Sequence, residues 1–380
     1  MSRIFSRADQ SVLSQWWWTI DRPLLSALLT LIVYGIVMIV AASPPVAVRI
    51  GYDDNHFFYR HMIILAPALI TLFGVSMLSP RWIWRLSSLM LVGSILAMCF
   101  VLLYGVETKG AQRWLPVFGF SLQPSEFVKP AFAITAAWLI SRRKEQFSFP
   151  GYRLTTGLYA LIVALLLMQP DMGMTFVVSM TIGVQAVLAG LPLVWAFGLG
   201  GIGILGLIAA YFGFSHVQSR VDRFLNPESG DTYQIDKSLE AFENGGIFGV
   251  GPGQGVVKLK LPDAHADFIF SVAGEELGFL LVGLLVLLFA FVIIRGLSRV
   301  LESQDLFIIL AVSGLLTSFG LQSLVHMASS LQMMPAKGMT LPFISYGGSS
   351  LLATSFAVGA VLALTRRQFR QSIRKSGYFS

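Results

Sequence analysis

The sequence predicts an all-α polytopic membrane protein with about ten transmembrane helices and one large extracytoplasmic loop. Hydrophobic residues make up 55% of its 380 residues and charged residues only 12%, and the mean hydropathy is +0.72. Apolar runs of the ~20 residues that a bilayer requires recur along the chain. A polar stretch at 214–266 interrupts them. These observations together predict one integral membrane domain over residues 1–380.

The predicted elements begin with a cytoplasmic or interfacial segment at 1–23. Its tryptophans, Trp16 to Trp18, are typical of an interfacial helix or a membrane-entry anchor. Pro44-Pro45 is expected to break the first span, whereas Gln169-Pro170-Asp171 and Gly190-Leu191-Pro192 mark either joints or kinks. We predict spans at 24–43, 60–79, 83–104, 124–141, 154–169, 172–190, 192–213, 267–294, 305–329 and 349–365.

The distribution of Lys and Arg predicts the orientation. One of the two alternating sets of loops carries about sixteen cations against about five acids, including a basic tail at 366–380. Both termini are therefore expected in the cytoplasm, and the polar loop at 214–266 outside. The net charge of +7 reflects these topology signals, so we expect no nucleic-acid partner. The single cysteine, Cys99, excludes a disulfide framework and a cysteine metal site.

Asp267 is the main candidate for chemistry, because it lies where the string LPDAHADFIF passes from the polar loop into an apolar run. An ionisable residue at that boundary is costly without a partner or a task. Beyond it, Ser271, Gly274 and Gly278 share nearly one helical face and are expected to leave space in front of the carboxylate. Glu275 is expected within a quadrant of that face, as a structural support, and Glu276 on the other side.

The polar loop contains two predicted features. Apolar residues at Ile235, Leu239 and Phe242 have the spacing of an amphipathic helix that lies along the membrane surface. The glycine-rich segment GGIFGVGPGQG follows at 245–255, and its glycines include Gly251 and Gly253. Such a segment forms either a flexible re-entrant hairpin or a cradle of backbone amides for an anion.

Four strings resemble the SEDS family, whose FtsW and RodA members polymerise lipid II into glycan strands. They are GAQRWLPVFGFSLQPSEFVKP (110–130), RVDRFLNPESGDTYQIDKSLEAFENGGIFGVGPGQG (220–255), LPDAHADFIFSVAGEELG (261–278) and AKGMTLPFISYGGSS (336–350). The second and fourth resemble the division members, FtsW, more than the elongation members, RodA. The resemblance places the chain in the bacterial cytoplasmic membrane, at the division septum.

The resemblance implies an inverting glycosyl transfer on the outer face of that membrane, with undecaprenyl pyrophosphate as the leaving group. The acid of the family's HxDF segment falls on Asp267, the expected general base. Partial desolvation at a helix entrance raises the basicity of a carboxylate. The implied partners are lipid II, an FtsI-like class B penicillin-binding transpeptidase and other division proteins.

A departing pyrophosphate needs cations. The candidates are Arg60, Arg113, Lys129, Arg220, Arg223 and Lys337. Lys129 lies inside the fourth predicted span, three residues after Glu126, and Gln123 and Ser125 complete a polar entrance. Lys129 and Glu126 could equally be a charge pair that neutralises itself between packed helices, and Arg60 and Arg113 could be interfacial anchors.

Further candidates surround this site. His265 could orient Asp267 or bind pyrophosphate, although a lone external histidine is more often simply solvated. Ser349 belongs to a Gly-Gly-Ser-Ser helix start that offers free amides to an anion or a sugar. Asp267 could hold a divalent cation, Mg or Mn, against pyrophosphate oxygens. His326 occupies a position where the family more often carries a different polar residue, so its role is open.

Two other classes of function were weighed against a polymerase. A lipid II flippase or transporter would also use intramembrane charges such as Lys129, Glu126 and Glu275. A non-catalytic scaffold needs none of these features.

Overall fold

The computed structural model describes residues 11–108, 111–117, 119–192, scattered positions between 194 and 222, 233–334 and 338–366. The described part is helical apart from one small sheet and a short 3-10 helix at Val257–Leu259. The α-helices are α1 Val12–Thr19, α2 Arg22–Arg49, α3 His56–Ser76, α4 Pro80–Tyr104, α5 Pro124–Glu145, α6 Gly151–Met168, α7 Met172–Leu188, α8 Tyr233–Gly245, α9 Ile269–Val300, α10 Leu306–Ser330 and α11 Gly348–Leu364.

These helices confirm the polytopic fold. Among the described residues, six helices are long and apolar enough to cross a membrane: α2, α3, α4, α6, α9 and α10. The apolar helices α7 and α11 are shorter, and α5 carries charged residues near both of its ends. Every predicted span therefore coincides with a helix, except the one at 192–213, which lies largely outside the described residues.

Helices end at both of the uncertain joints, Gln169-Pro170-Asp171 and Gly190-Leu191-Pro192, so neither is a kink within one helix. Helix α6 stops at Met168, and the Asp171 carboxylate caps α7 by accepting a hydrogen bond of 3.1 Å from the amide of Met174. Helix α7 stops at Leu188, before Gly190 adopts a φ of +95°. The predicted break at Pro44-Pro45 is wrong, because α2 continues through both prolines to Arg49.

Helices α5, α10 and α11 form the interior and are buried along most of their lengths. Helix α11 packs against α3, α5 and α10, while α4 covers α5 and α9 packs against α2 and α10. Large buried side chains, such as Phe132 of α5 and Leu72 of α3, fill the spaces between helices.

The bundle has two chemically different ends. At the basic end, the Asp21 carboxylate at the start of α2 pairs with Arg295 at 3.0 Å and with Arg299, both near the end of α9. The Arg366 guanidinium, after α11, donates to the Leu78 carbonyl at 3.0 Å, after α3. The opposite end carries the sheet, the polar loop and Asp267, and is called the loop end below. Consecutive helices thus alternate in direction.

A sheet at the loop end is the one departure from the all-α expectation. Strands β1 Val106–Thr108, β2 Ala111–Val117 and β3 Phe120–Leu122 pair antiparallel in that order, with Leu115 opposite Leu122. Two of the strands have three residues each, too few for an alternating pattern to stand out in the sequence.

Helix α8 lies where the amphipathic helix is predicted, and it packs against α9. The residues that it buries are Ser238, Ala241 and Gly245, a line of small side chains facing α9. Gly274 of α9 faces the ring of Phe242 so closely that a β-carbon there would lie 2.2 Å from it. The space predicted in front of Asp267 along Ser271, Gly274 and Gly278 is therefore filled by α8 and the loop that follows it.

Candidate active site

Asp267 lies in a run of turns at 261–268, two residues before α9 begins. Its amide donates to the Asp263 carbonyl at 3.0 Å, and the amide of Ala266 donates to the same carbonyl at 2.9 Å. The Ser345 hydroxyl donates to the Ala266 carbonyl at 2.7 Å. The backbone of Asp267 is thereby fixed from two sides, while its side chain stays half-buried at the loop end.

Gly338 faces the Asp267 carboxylate. A β-carbon on Gly338 would lie 3.2 Å from Oδ2 and 3.5 Å from Oδ1 of Asp267. Gly338 is exposed, whereas the next residue, Met339, is buried. The absence of a side chain at 338 therefore lets the backbone of this segment lie close to the carboxylate.

His265 is buried rather than solvated. Its ring lies 4.4 Å from that of Phe57 and 5.1 Å from that of Tyr346, between ring centres. Burial lowers the pKa of the imidazole to about 4, against a smaller opposing effect of the Asp263 carboxylate. His265 is therefore neutral at physiological pH and supplies no positive charge to a pyrophosphate.

A second polar group lies inside the bundle. The Lys129 ammonium lies 2.7 Å from the Glu126 carboxylate, and both side chains are buried. Lys129 also donates to the side-chain oxygen of Gln322, on α10. A cavity between these helices is lined by Glu126, Lys129, Pro130, Leu315, Ser318, Phe319, Gln322, Pro342, Ala353, Thr354 and Ala357. The predicted Glu126–Lys129 pair thus borders a cavity between α5, α10 and α11.

Gln322 connects this pair to the segment beside Asp267. Its amide nitrogen donates to the Thr340 carbonyl at 2.8 Å and lies 3.3 Å from the Ser350 hydroxyl. The Thr340 hydroxyl in turn donates to Ser350 at 2.6 Å. Since Thr340 lies two residues after Gly338, a continuous path of contacts runs from Lys129 to the carboxylate of Asp267.

The other residues of the predicted polar entrance lie at a junction of two helix starts. The amide of Gln123, just before α5, donates to the Ser349 hydroxyl of α11 at 2.9 Å. The Gln123 side chain donates to Ser125 at 3.1 Å. Gln123, Ser125 and Ser349 are thus brought together, as a tie between α5 and α11.

Two candidate arginines hold the sheet. Arg60 donates to the Gly119 carbonyl and lies over the ring of Phe120, 4.9 Å from its centre. Arg113 donates to the Gln169 carbonyl at 2.9 Å and to Pro170, and lies 3.9 Å from the Asp171 carboxylate. The candidates Arg220, Arg223 and Lys337 lie outside the described residues.

The glycine-rich segment inserts into a break in α9. Gly278 has a φ of +74°, which interrupts the helix. The amide of Phe279 donates to the Gly246 carbonyl at 2.9 Å, and the amide of Val250 donates to the Glu275 carbonyl at 3.0 Å. The amide of Gly251 donates to the Glu276 carbonyl at 3.0 Å. The segment therefore replaces hydrogen bonds that the helix loses, as irregular backbone at membrane depth requires.

The backbone amides directly after the glycine-rich segment bind a carboxylate of the protein itself. Glu275 accepts from the amides of Val256 and Val257, each at 2.7 Å, and from that of Lys258 at 3.0 Å. The Asn244 side chain adds a further donor at 2.9 Å. The Glu275 carboxylate thus lies where an anion cradle would have placed a ligand.

Glu276 is bound by the same polar loop. Its carboxylate accepts from the Gly253 amide at 2.9 Å and pairs with the buried ammonium of Lys258. Lys258 also donates to the Ala41 carbonyl at 2.9 Å, which has no helical partner because Pro45 lacks an amide proton. The loop therefore satisfies both neighbouring glutamates of α9.

Sequence reasoning missed Gln322, Thr340 and Lys258. Gln322 was detectable as an amide in an otherwise apolar helix, where a polar side chain needs a partner. Lys258 carried no such signal, because the segment VKLKLP alternates like a surface strand.

Comparisons with known proteins show the family of the chain. The family model of the cell cycle proteins FtsW, RodA and SpoVE matches residues 22–369. A relative from Caulobacter vibrioides, named probable peptidoglycan glycosyltransferase FtsW, is 45% identical over 96% of this chain and 94% of its own. An Escherichia coli O6:H1 protein of the same name is 35% identical over 94% of this chain and 88% of its own.

Solved structures have the same fold. A chain from a peptidoglycan synthase complex that coordinates polymerization and crosslinking superimposes with a TM-score of 0.77 at 29% identity, over 92% of this chain and 99% of that one. The rod shape determining protein RodA of Thermus thermophilus gives a TM-score of 0.68 at 28% identity, over 93% and 99%. The chain therefore belongs to the FtsW/RodA/SpoVE family of cell cycle proteins, as its four characteristic strings predict.

Proposed function

We propose that this membrane protein is a peptidoglycan glycosyltransferase that polymerises lipid II on the outer face of the cytoplasmic membrane during cell division. Support comes from the FtsW relatives, whose names carry this activity, and from their coverage of nearly the whole chain. The single observation that carries the chemistry is the half-buried carboxylate of Asp267 at the loop end, approached closely by Gly338.

In the proposed reaction, Asp267 is the general base. It removes the proton from the attacking sugar hydroxyl as that oxygen bonds to the anomeric carbon of the donor. The bond from that carbon to the pyrophosphate oxygen breaks, which inverts the carbon, and undecaprenyl pyrophosphate leaves as an anion. No second carboxyl group is needed to protonate such a leaving group, unlike in glycoside hydrolases.

Positive charge must stabilise the departing pyrophosphate. Lys129 is the candidate that the geometry supports best, because its buried ammonium borders a cavity and connects through Gln322 to the segment beside Asp267. Arg60 and Arg113 hold the sheet and supply further positive charge at the loop end. Arg220, Arg223 and Lys337 complete the proposed set of cations.

A divalent cation, Mg or Mn, at Asp267 would take its other ligands from pyrophosphate oxygens and water, because Mg is usually bound through one or two carboxylates together with substrate phosphates. Among the described residues, no three histidine, cysteine, aspartate or glutamate side chains come together as a metal site. No step of the proposed mechanism is routed through such an ion.

The proposed orientation puts the loop end outside and the basic end in the cytoplasm, with both termini there. Arg142 to Lys144 at the end of α5 and Arg366 after α11 support it through the positive-inside rule. A class B transpeptidase is the proposed partner, because a structural relative belongs to a complex that coordinates polymerization with crosslinking. We place this activity at the septum with other division proteins.

Purified full-length protein supplied with lipid II tests the proposed activity. We expect glycan strands that lysozyme degrades. A flippase would instead move lipid II across proteoliposomes and form no strands, so translocation without polymer would overturn the proposal.

A further inference from the structure

Residues 338–341, named the strap here, have no regular secondary structure and lie between α10 and α11. Gly338, at the first position, faces the Asp267 carboxylate, and a β-carbon there would lie 3.2 Å from Oδ2. Farther along the same connection, the amide of Tyr346 donates to the His265 carbonyl at 2.9 Å. The strap therefore begins beside the Asp267 carboxylate.

Helix α10 holds the strap through two consecutive carbonyls. Nδ1 of His326 lies 2.6 Å from the Met339 carbonyl, and Gln322 donates to the Thr340 carbonyl at 2.8 Å. Gln322 and His326 are four residues apart and therefore lie on one face of α10. Met339 is the residue next to Gly338, so of these two contacts the one from His326 lies nearer along the chain to Gly338.

The chemistry of this contact fixes the tautomer of His326. A carbonyl oxygen only accepts hydrogen bonds, so Nδ1 must carry the proton. The side chain is 1% exposed, and Nε2 has no hydrogen-bond partner among the described residues. A charged imidazole would leave an unpaired donor in a buried site, which is costly. His326 is therefore a neutral donor directed at the strap.

We propose that His326 is a positioning residue for glycosyl transfer: its Nδ1–H holds the Met339 carbonyl and thereby keeps Gly338 against the Asp267 carboxylate. The inference rests on the proposed function. Without this bond, the first strap carbonyl held by α10 is that of Thr340, two residues from Gly338. Displacements of about 1 Å at a reacting group cost on the order of 100-fold in rate.

Three substitutions of His326 separate the effect of its hydrogen-bond donor from the effect of its size. His326→Asn places an amide N–H where Nδ1 stands, His326→Gln moves the amide to the position of Nε2, and His326→Leu removes the donor. Ser323→Ala is the matched control, because Ser323 is buried on the same helix and donates to the Phe319 carbonyl of that helix, not to the strap.

Full-length variants are assayed on lipid II for kcat and KM, with thermal unfolding in parallel. We expect His326→Gln and His326→Leu to lower kcat about 10- to 100-fold with KM within about twofold, and His326→Asn to restore at least about a third of the rate. Ser323→Ala should match the native protein. The Asn and Gln variants decide the matter if the Leu variant fails to fold.

Equal rates for the Asn and Gln variants, or a loss carried by KM, would overturn the positioning role. A native protein that forms no strands would instead refute the proposed function, so the two failures are distinguishable. As a second readout, Gly338→Ala should slow the His326→Gln variant less than it slows the native protein, because both changes disturb one contact. Full additivity of the two effects would contradict the inference.

Discussion

Gly338 approaches Asp267 so closely that a β-carbon on the glycine would lie 3.2 Å from Oδ2 of the carboxylate. We predict that Gly338→Ala lowers the polymerisation rate about 10-fold, because the added methyl group crowds the carboxylate and displaces it by a few tenths of an ångström. The measurement is kcat on lipid II. Gly93→Ala is the control, since a β-carbon at this exposed glycine in α4 meets nothing within 4 Å. Equal rates for the two variants would show that the contact has no catalytic consequence.

The break in α9 should tolerate no side chain at Gly278. A β-carbon there would lie 2.2 Å from the amide nitrogen of Gly249, and the φ of +74° disfavours any L-residue. We expect Gly278→Ala to lower the free energy of unfolding by at least about 3 kcal/mol. Gly283→Ala, five residues farther along the same helix, meets nothing within 4 Å and should be neutral or stabilising. Unfolding in detergent measures both, and a Gly278→Ala protein as stable as Gly283→Ala would contradict the inserted loop.

Glu275 should hold the polar loop in place. Its removal leaves the amides of Val256, Val257 and Lys258 without their acceptor. We predict that Glu275→Ala destabilises the protein by about 3 kcal/mol, the size expected when buried donors lose a charged partner. Glu243→Ala, an exposed carboxylate on α8, is the matched control and should have little effect. Limited proteolysis at 246–260 adds a local measurement, and cleavage that is no faster in Glu275→Ala would rule out this role.

His265 predicts a pH dependence of stability. Its pKa is about 4 in the folded protein, against 6.5 for the unperturbed group, because burial disfavours the charged form. As the pH falls from about 6.5 to about 4, the unfolded chain binds a proton that the folded chain does not, so stability falls over that window by up to roughly 3 kcal/mol. His265→Phe should lose less stability between about pH 7 and 4.5, while the other histidines contribute equally to both proteins. If the free energy of unfolding fell equally with pH in the native protein and in His265→Phe, the result would contradict a buried, neutral imidazole at position 265.

Much of the architecture followed from the sequence, because membrane spans depend on length and hydropathy alone. Pro44-Pro45 shows the limit of that reasoning: the prolines do remove hydrogen bonds, but Lys258 satisfies the freed Ala41 carbonyl and α2 continues. No local pattern could reveal that partner, which lies 217 residues away along the chain.

The candidate site was predictable where its residues are adjacent in sequence. Glu126 and Lys129 form the pair that their spacing suggests. The contacts of Glu276 with Gly253 and Lys258 were not predictable, because they depend on how the polar loop folds back onto α9. The approach of Gly338 to Asp267 joins two segments separated by α9 and α10, and only the tertiary packing brings them together.

The central claim is that the carboxylate of Asp267 removes the proton from the attacking sugar. The direct measurement is the polymerisation rate of Asp267→Asn on lipid II, with Asp263→Asn, four residues earlier, as the matched control. We predict at least an approximately 100-fold loss for Asp267→Asn at native stability, and little change for Asp263→Asn. Glycan strands formed by Asp267→Asn at the native rate would contradict the account.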